Sequence, residues 1–235
     1  MSQFNKVRIL VFDTKTAGTP KHYRPAHEDI DNYPDLLQFS AKLVDIDLND
    51  LDRYEIVYSM NMLIKPERQV SKTLHRNVVI EDKAFEEHGI TTDKLNILGD
   101  DIFNVAMIYQ GLTNSADFII SHNYTLHKNV MVSELMRLGI RARYSKRAKV
   151  LCMMKYASSL LAIPTTRPNQ YKFPTPSEVF NKLTGQEASE FFDLKDADKD
   201  TDLYIVNLLQ LLKQQNELFS WLNGDIEELY PRKIY

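Results

Sequence analysis

Asp13 ends an apolar run, Val7-Arg8-Ile9-Leu10-Val11-Phe12, and is followed by Thr14, Lys15, Thr16, Ala17 and Gly18. A carboxylate at the end of a buried strand can hold a hard divalent cation, because magnesium and manganese take oxygen ligands. Lys15 works against that chemistry. At ~4 Å an ammonium repels a divalent ion by roughly 8 kcal/mol at an effective dielectric of about 20. A second concentration of carboxylates, Asp196, Asp198, Asp200 and Asp202, opens an apolar helical stretch, where aspartates offset the positive end of the helix dipole. Arg137, Arg141, Arg143, Lys146, Arg147 and Lys149 place six cations in thirteen residues around Gly139. Such a patch could grip phosphates, but only Tyr144 could stack on a base, so a solvated or partner-facing surface is the plainer reading.

Several elements must position these residues. Residues 7–12 read as a strand buried on both faces, ended by the Thr/Gly/Pro cluster at 14–20, so Asp13 sits at the carboxyl end of a central strand. Residues 36–47 and 54–64 read as an antiparallel hairpin, and 117–121 as another short strand. Helical patterns cover 100–112, 125–138 and 200–222, with Leu126, Val130, Leu135 and Leu138 on one face of the second. A further helical stretch around 153–161 is separated from 177–185 by a proline-rich connection, 164–176, of the kind that borders functional faces.

Composition narrows the classes. The 235 residues suit one α/β domain with a sizeable core, and 29 basic against 32 acidic side chains give a formal charge of -3. Nothing global commits the chain to nucleic acid or to an anionic membrane. Cys152 stands alone, which rules out an internal disulfide framework and a cysteine-rich zinc site. No apolar run approaches the roughly 20 residues that span a bilayer, and the first residues are too strand-like for a signal peptide. The expectation is a cytoplasmic protein.

With the motifs laid on these elements, residues 6–214 resemble the DnaQ-like 3′ to 5′ exonucleases of the DEDDh class. Family members carry Asp-x-Glu-Thr-x-Gly where this chain has Asp13-Thr14-Lys15-Thr16-Ala17-Gly18. The His-Gly-Ile-Thr element is intact at His88-Gly89-Ile90-Thr91. His-Asn-x-x-Phe-Asp appears as His122-Asn123-Tyr124-Thr125-Leu126-His127, and His-x-Ala-x-x-Asp as Lys195-Asp196-Ala197-Asp198-Lys199-Asp200. Pro20-Lys21 and Asp31-Asn32-Tyr33-Pro34 look like a bacterial and phage subgroup.

The resemblance implies a ribonuclease-H-like three-layer α/β fold, with a mixed central sheet flanked by helices. It also implies a remnant site of Asp13, Lys15, His127, Lys195 and Asp200. Active members hold two divalent ions with four carboxylates and use a histidine base. Here the glutamate, second aspartate and histidine positions hold Lys15, His127 and Lys195. The expectation is a pocket neutralised by its own salt bridges, Lys15 and Lys195 replacing the ions, with no metal and no catalytic residue. The function expected is a structural or interaction module bound to other protein subunits of an assembly, such as a phage particle. Two alternatives are a non-cleaving nucleic-acid binder using the basic patch, and an active exonuclease with magnesium or manganese. A rebuilt site for the latter would take Asp13, His127, Asp200 and one of Asp196, Asp198 or Asp202. His88, His122 and Asn123 read as loop-fixing residues. Residues 215–235 form an extension to the domain at 1–214; Trp221 and its apolar neighbours either fold back on that domain or dock on another chain.

Overall fold

The computed structural model describes residues 5–69, 75–142, 147–167, 170–193, 195–225, 227 and 229, with the backbone alone at 69, 75 and 76. The order is β1 (Lys6–Thr16), β2 (Leu36–Asp47), β3 (Tyr54–Leu63), β4 (Glu67–Gln69), β5 (His75–Asn77), α1 (Asp82–His88), α2 (Thr92–Leu98) and α3 (Ile102–Ser115). It continues with β6 (Phe118–Ser121), α4 (Tyr124–Arg137), β7 (Lys149–Cys152), α5 (Met153–Leu161), α6 (Pro176–Thr184), α7 (Ala197–Gln214) and α8 (Asn216–Asn223). Five strands form one sheet in the order β3-β2-β1-β6-β7, and β4 and β5 make a separate hairpin. The pairs β1–β2 and β2–β3 are antiparallel; β1–β6 and β6–β7 are parallel.

Alternation along β1 decides which side chains meet which layer. Ile9 and Val11 join a core with Val44, Ile46 and the apolar stripe of α7, including Tyr204, Leu208 and Leu211. Leu10 and Phe12 face the other way, into a core with Val105 and Tyr109 of α3 and Val130 and Met131 of α4. The two faces make a three-layer molecule with β1 in its centre. Asp13 and Lys15, in step with Ile9 and Val11, therefore face α7, while Thr14 faces α4.

The sequence pattern at 200–222 reads as one helix, and the structure breaks it. Gln215 leaves helical geometry at φ -123°, ψ 96°, ending α7 and letting α8 turn back onto the sheet. Leu218, Trp221, Leu222 and Leu229 are buried against β1, β6 and α7. The Trp221 ring meets Phe118 edge-on, 5.0 Å between centroids, and Lys149 Nζ lies 5.7 Å over it. The tail from 230 lies outside the described residues. Among those described, no helix is long and apolar enough to cross a membrane.

Trp221 makes α8 a part of this core. Replacing it with Ala should cost about 3–5 kcal/mol of unfolding free energy in urea denaturation; a loss below ~1 kcal/mol would mean that α8 docks without contributing.

Candidate functional site

Asp13 is 2% exposed, and its neighbours come from three elements. Tyr204 donates its hydroxyl to Asp13 Oδ1 at 2.8 Å, and His127 Nε2 stands 3.2 Å from the same oxygen. Lys15 Nζ lies 3.4 Å from Asp13 Oδ2 and contacts Asp200 Oδ2 on its other side. Strand alternation places Lys15 beside Asp13. Asp200 and Tyr204, one turn apart on α7, present carboxylate and phenol to the same point. His127 lies in the first turn of α4, which starts from Asn123 in the left-handed region at φ 62°, a conformation that asparagine tolerates.

The histidine's tautomer follows from its partners. The Thr14 backbone N–H can only donate, and it reaches His127 Nδ1 at 3.3 Å, with the Thr14 hydroxyl at 2.8 Å. Nδ1 is therefore the acceptor, and Nε2 is the protonated nitrogen. Burial lowers the His127 pKa despite the pull of Asp13, so the ring is held neutral.

One ammonium serves two buried carboxylates, and they divide it unequally. Burial pushes the Asp13 pKa up, but Lys15, His127 and the Tyr204 hydroxyl outweigh it and hold that carboxyl below its usual range. Burial and the charge of Asp13 push Asp200 up to about 7, Lys15 notwithstanding. Lys15 is held above its ordinary value because the two aspartates overcome its burial. The Lys15 contact to Asp200 would argue for an ionised Asp200. Burial and the charge of Asp13 outweigh it.

Not every expected residue reaches this point. Lys195 is exposed, its backbone N–H bonds Asp193 Oδ1 at 3.2 Å, and its ammonium makes no ion pair among the described residues. Neutralisation within the pocket thus falls to Lys15 alone. Asp196 caps α7, accepting from Asp198 N at 2.8 Å and Gln38 Nε2 at 2.9 Å. Asp198 and Asp202 pair with Lys42, and Asp202 also with Lys199. The three neighbours offered for a rebuilt metal site are turned away from it. Among the described residues, no group of three or more His, Cys, Asp or Glu is arranged to hold a metal ion.

The basic run is dispersed as well. Arg137 turns inward, donating to the carbonyls of Ile30 and Tyr33 and lying 3.3 Å from Glu134 Oε1. Lys149 covers Trp221. Arg141 and Arg147 are exposed, and Arg143 and Lys146 lie outside the described residues. The loop-fixing histidines behave as expected. His122 Nε2 bonds the Pro174 carbonyl at 2.7 Å, tying the proline-rich loop to the end of β6, and burial lowers its pKa to about 4. His88 bonds the Thr16 carbonyl through Nε2 and accepts from Ile90 N through Nδ1.

Tyr204 and Thr14 are the site residues that motif reading missed. Tyr204 was open to detection, since it follows Asp200 by one helical turn. Residues 18–20 and 173–176, with Ala84, Glu87 and His88 of α1, line a cleft of about 560 Å³ over Asp13, Lys15 and Asp200.

The mixed sheet and this site define an α/β molecule with the ribonuclease-H-like fold of DnaQ-like exonucleases. No family model matches the sequence, and no curated protein matches it. Among solved structures it is similar to Escherichia coli exonuclease I bound to an oligonucleotide, with TM-score 0.64 and 16% identity over 92% of this chain and 42% of that one. A product-bound exonuclease I gives 0.65 and 17%, over 92% of this chain and 45% of that one. A zinc-bound complex of the E. coli enzyme with single-stranded DNA gives 0.65 and 17%, over 92% and 42%. The chain spans less than half the length of these proteins, and at such identity the likeness is one of fold.

Two predictions follow from the shared ammonium. Lys15→Met should cost about 3–5 kcal/mol at neutral pH in chemical denaturation, because it leaves two buried carboxylates without their cation. An equally stable variant would mean that the aspartates do not depend on it. The second concerns Asp200, whose folded pKa of about 7 lies above its ordinary 3.8. Between these values the folded state binds more protons than the unfolded one, so Asp200 makes stability fall as pH rises. The stability difference between wild type and Asp200→Asn should therefore change across that window, by at most about 1.4 kcal/mol per pH unit, in the direction of a weaker wild type at higher pH. A pH-independent difference would contradict the raised pKa.

Proposed function

We propose that this chain is a catalytically inactive exonuclease-fold protein, used as a structural or interaction module within a larger assembly of protein subunits. The observation that carries the reading is the Lys15 ammonium between Asp13 and Asp200, the two carboxylates that the resemblance aligns with metal ligands. The donor set does not fit the two divalent ions of a working exonuclease. A cation is already built into the chain there, a neutral histidine stands where an aspartate would be, and the nearby Asp196, Asp198 and Asp202 are engaged elsewhere. Neither candidate base is free for the role: Lys195 is at the surface, and the His127 Nδ1 lone pair is taken by Thr14. A reading as a non-cleaving nucleic-acid binder has less support, because Arg137 and Lys149 of the basic run are engaged within the fold.

The expected result with Mg²⁺ or Mn²⁺ is no degradation of single-stranded DNA or RNA, and no saturable Mn²⁺ binding by calorimetry. Metal-dependent degradation abolished by Asp13→Ala would overturn the proposal. The combined change Lys15→Glu and His127→Asp should bring Mn²⁺ binding back, since it replaces the internal cation and the neutral ring by two oxygen donors. If it does not, something besides those two side chains blocks the site.

A further inference from the structure

β3 is an edge of the five-stranded sheet, and along Tyr54–Leu63 it carries a single charged side chain, Glu55, with no lysine and no proline. Lysine and proline are the residues that guard solvent-exposed edges against pairing with other chains. Here Tyr54, Ile56, Val57 and Tyr58 are 39–45% exposed instead. Every residue from Tyr54 to Ser59 is exposed, on whichever face of the sheet it lies, so neither helix layer covers this half of the strand.

The backbone of this edge is open as well. Alternate residues of an antiparallel strand turn N–H and C=O towards one neighbour or the other. The Asp47 N–H donates to the Arg53 carbonyl at 3.1 Å and the Ile64 N–H to the Leu37 carbonyl at 2.9 Å, which fixes the phase at both ends of the β2–β3 ladder. From that phase, Tyr54, Ile56, Ser59, Asn61 and Leu63 turn their backbone groups away from β2. The Leu63 carbonyl accepts from the Asp100 N–H at 2.8 Å. Among the described residues, no backbone group bonds the other four on that side. The step from Ile56 to Ser59 is longer by one residue than a regular strand allows, because β2 pairs Val44 with Ile56 and Leu43 with Tyr58, leaving Val57 as a bulge.

That offset selects the partner. A regular strand presents its outward groups at every second residue, so it can meet Tyr54 and Ile56, or Ser59 and Asn61, but not all four in one register. A second copy of β3 running antiparallel carries the same offset. With a two-fold axis between Val57 and Tyr58, Tyr54 meets the second copy's Asn61 and Ile56 meets its Ser59, and the reverse. Glu55 then lies opposite the second copy's Met60 rather than its Glu55, and Val57 lies opposite its Tyr58, so like charges stay apart and an aliphatic–aromatic pair forms. We propose that β3 is an isologous dimer interface, joining the sheets of two copies of this chain into one continuous sheet. The proposal goes beyond the function assigned to the cleft and holds whether or not the cleft is inactive.

The test is sedimentation of the full chain over a concentration series. A reversible monomer–dimer equilibrium is expected, with most of the chain dimeric at roughly 100 µM. Val57→Lys, at an exposed position, sets two lysines close to the axis and should weaken the dimer by at least about tenfold. Ser59→Pro removes an N–H that points away from β2, so it should weaken the dimer while leaving the circular dichroism of the dilute monomer unchanged. Oxidation reads the register. Ile56→Cys combined with Ser59→Cys should give a disulfide-linked dimer, whereas Ile56→Cys alone should not, because the two copies of that residue lie about 10 Å apart along the strands. A chain that stays monomeric, a dimer that survives both Val57→Lys and Ser59→Pro, or one cross-linked by Ile56→Cys alone would overturn the proposal.

Discussion

The site is organised by a shortage of positive charge: two buried aspartates share one lysine. Isolated carboxylates cannot be buried ionised without compensation, and a dry ion pair stabilises only when its remaining lone pairs are also satisfied. Asp13 has the Tyr204 hydroxyl on Oδ1, the His127 ring 3.2 Å from the same oxygen and the Lys15 ammonium 3.4 Å from Oδ2. Asp200 is left with the smaller share and keeps its proton to about 7. The local balance of Asp13, Lys15 and Asp200 is therefore between neutral and singly negative, rather than the closed salt-bridge network that two lysines would have made.

That arrangement depends on the sheet. Asp13 and Lys15 face α7 because Ile9 and Val11 do, and those two are held there by the Val44, Ile46 and Leu208 core. Thr14 takes the opposite face and fixes the His127 ring through Nδ1. A register slip of one residue in β1 would send the lysine and both core residues to the wrong layer. The pairing of Ile9 with both Val44 and Phe118 opposes that slip from two sides. Asp196, by capping α7 and accepting from Gln38 on β2, sets the height at which Asp200 meets Lys15.

How much of this was legible in the sequence varies with the physics involved. The central strand and the hairpin were open to reading, because β-branched runs and turn residues are local signals; β2 occupies 36–47 as its pattern implies. The break at Gln215 was not, since the apolar spacing continues through it and the turn comes from α8 packing on Phe118. β7 is no shorter than β6, but it opens on Lys149 at the end of the basic run and lacks the continuous apolar signal of Phe118-Ile119-Ile120. In the site, the structure brings together Asp13, Lys15, His127 and Asp200, four residues that motif alignment singled out. It could not foresee that Lys195, one residue before the α7 cap, points to solvent. Helical phase decides that: Asp200 and Tyr204 lie on the buried stripe, whereas Lys195 precedes the helix and answers to no such constraint.

The sign of the charge at position 15 also bears on what the cleft can hold. Losing a metal ligand to alanine would leave an acidic, hydrated hollow that still attracts divalent ions. A lysine at that point acts differently, for its ammonium, held between Asp13 and Asp200, opposes a second cation at the pocket floor. The proposed loss of catalysis then follows from the charge at one position of β1, and it does not require the loops around the cleft to have moved.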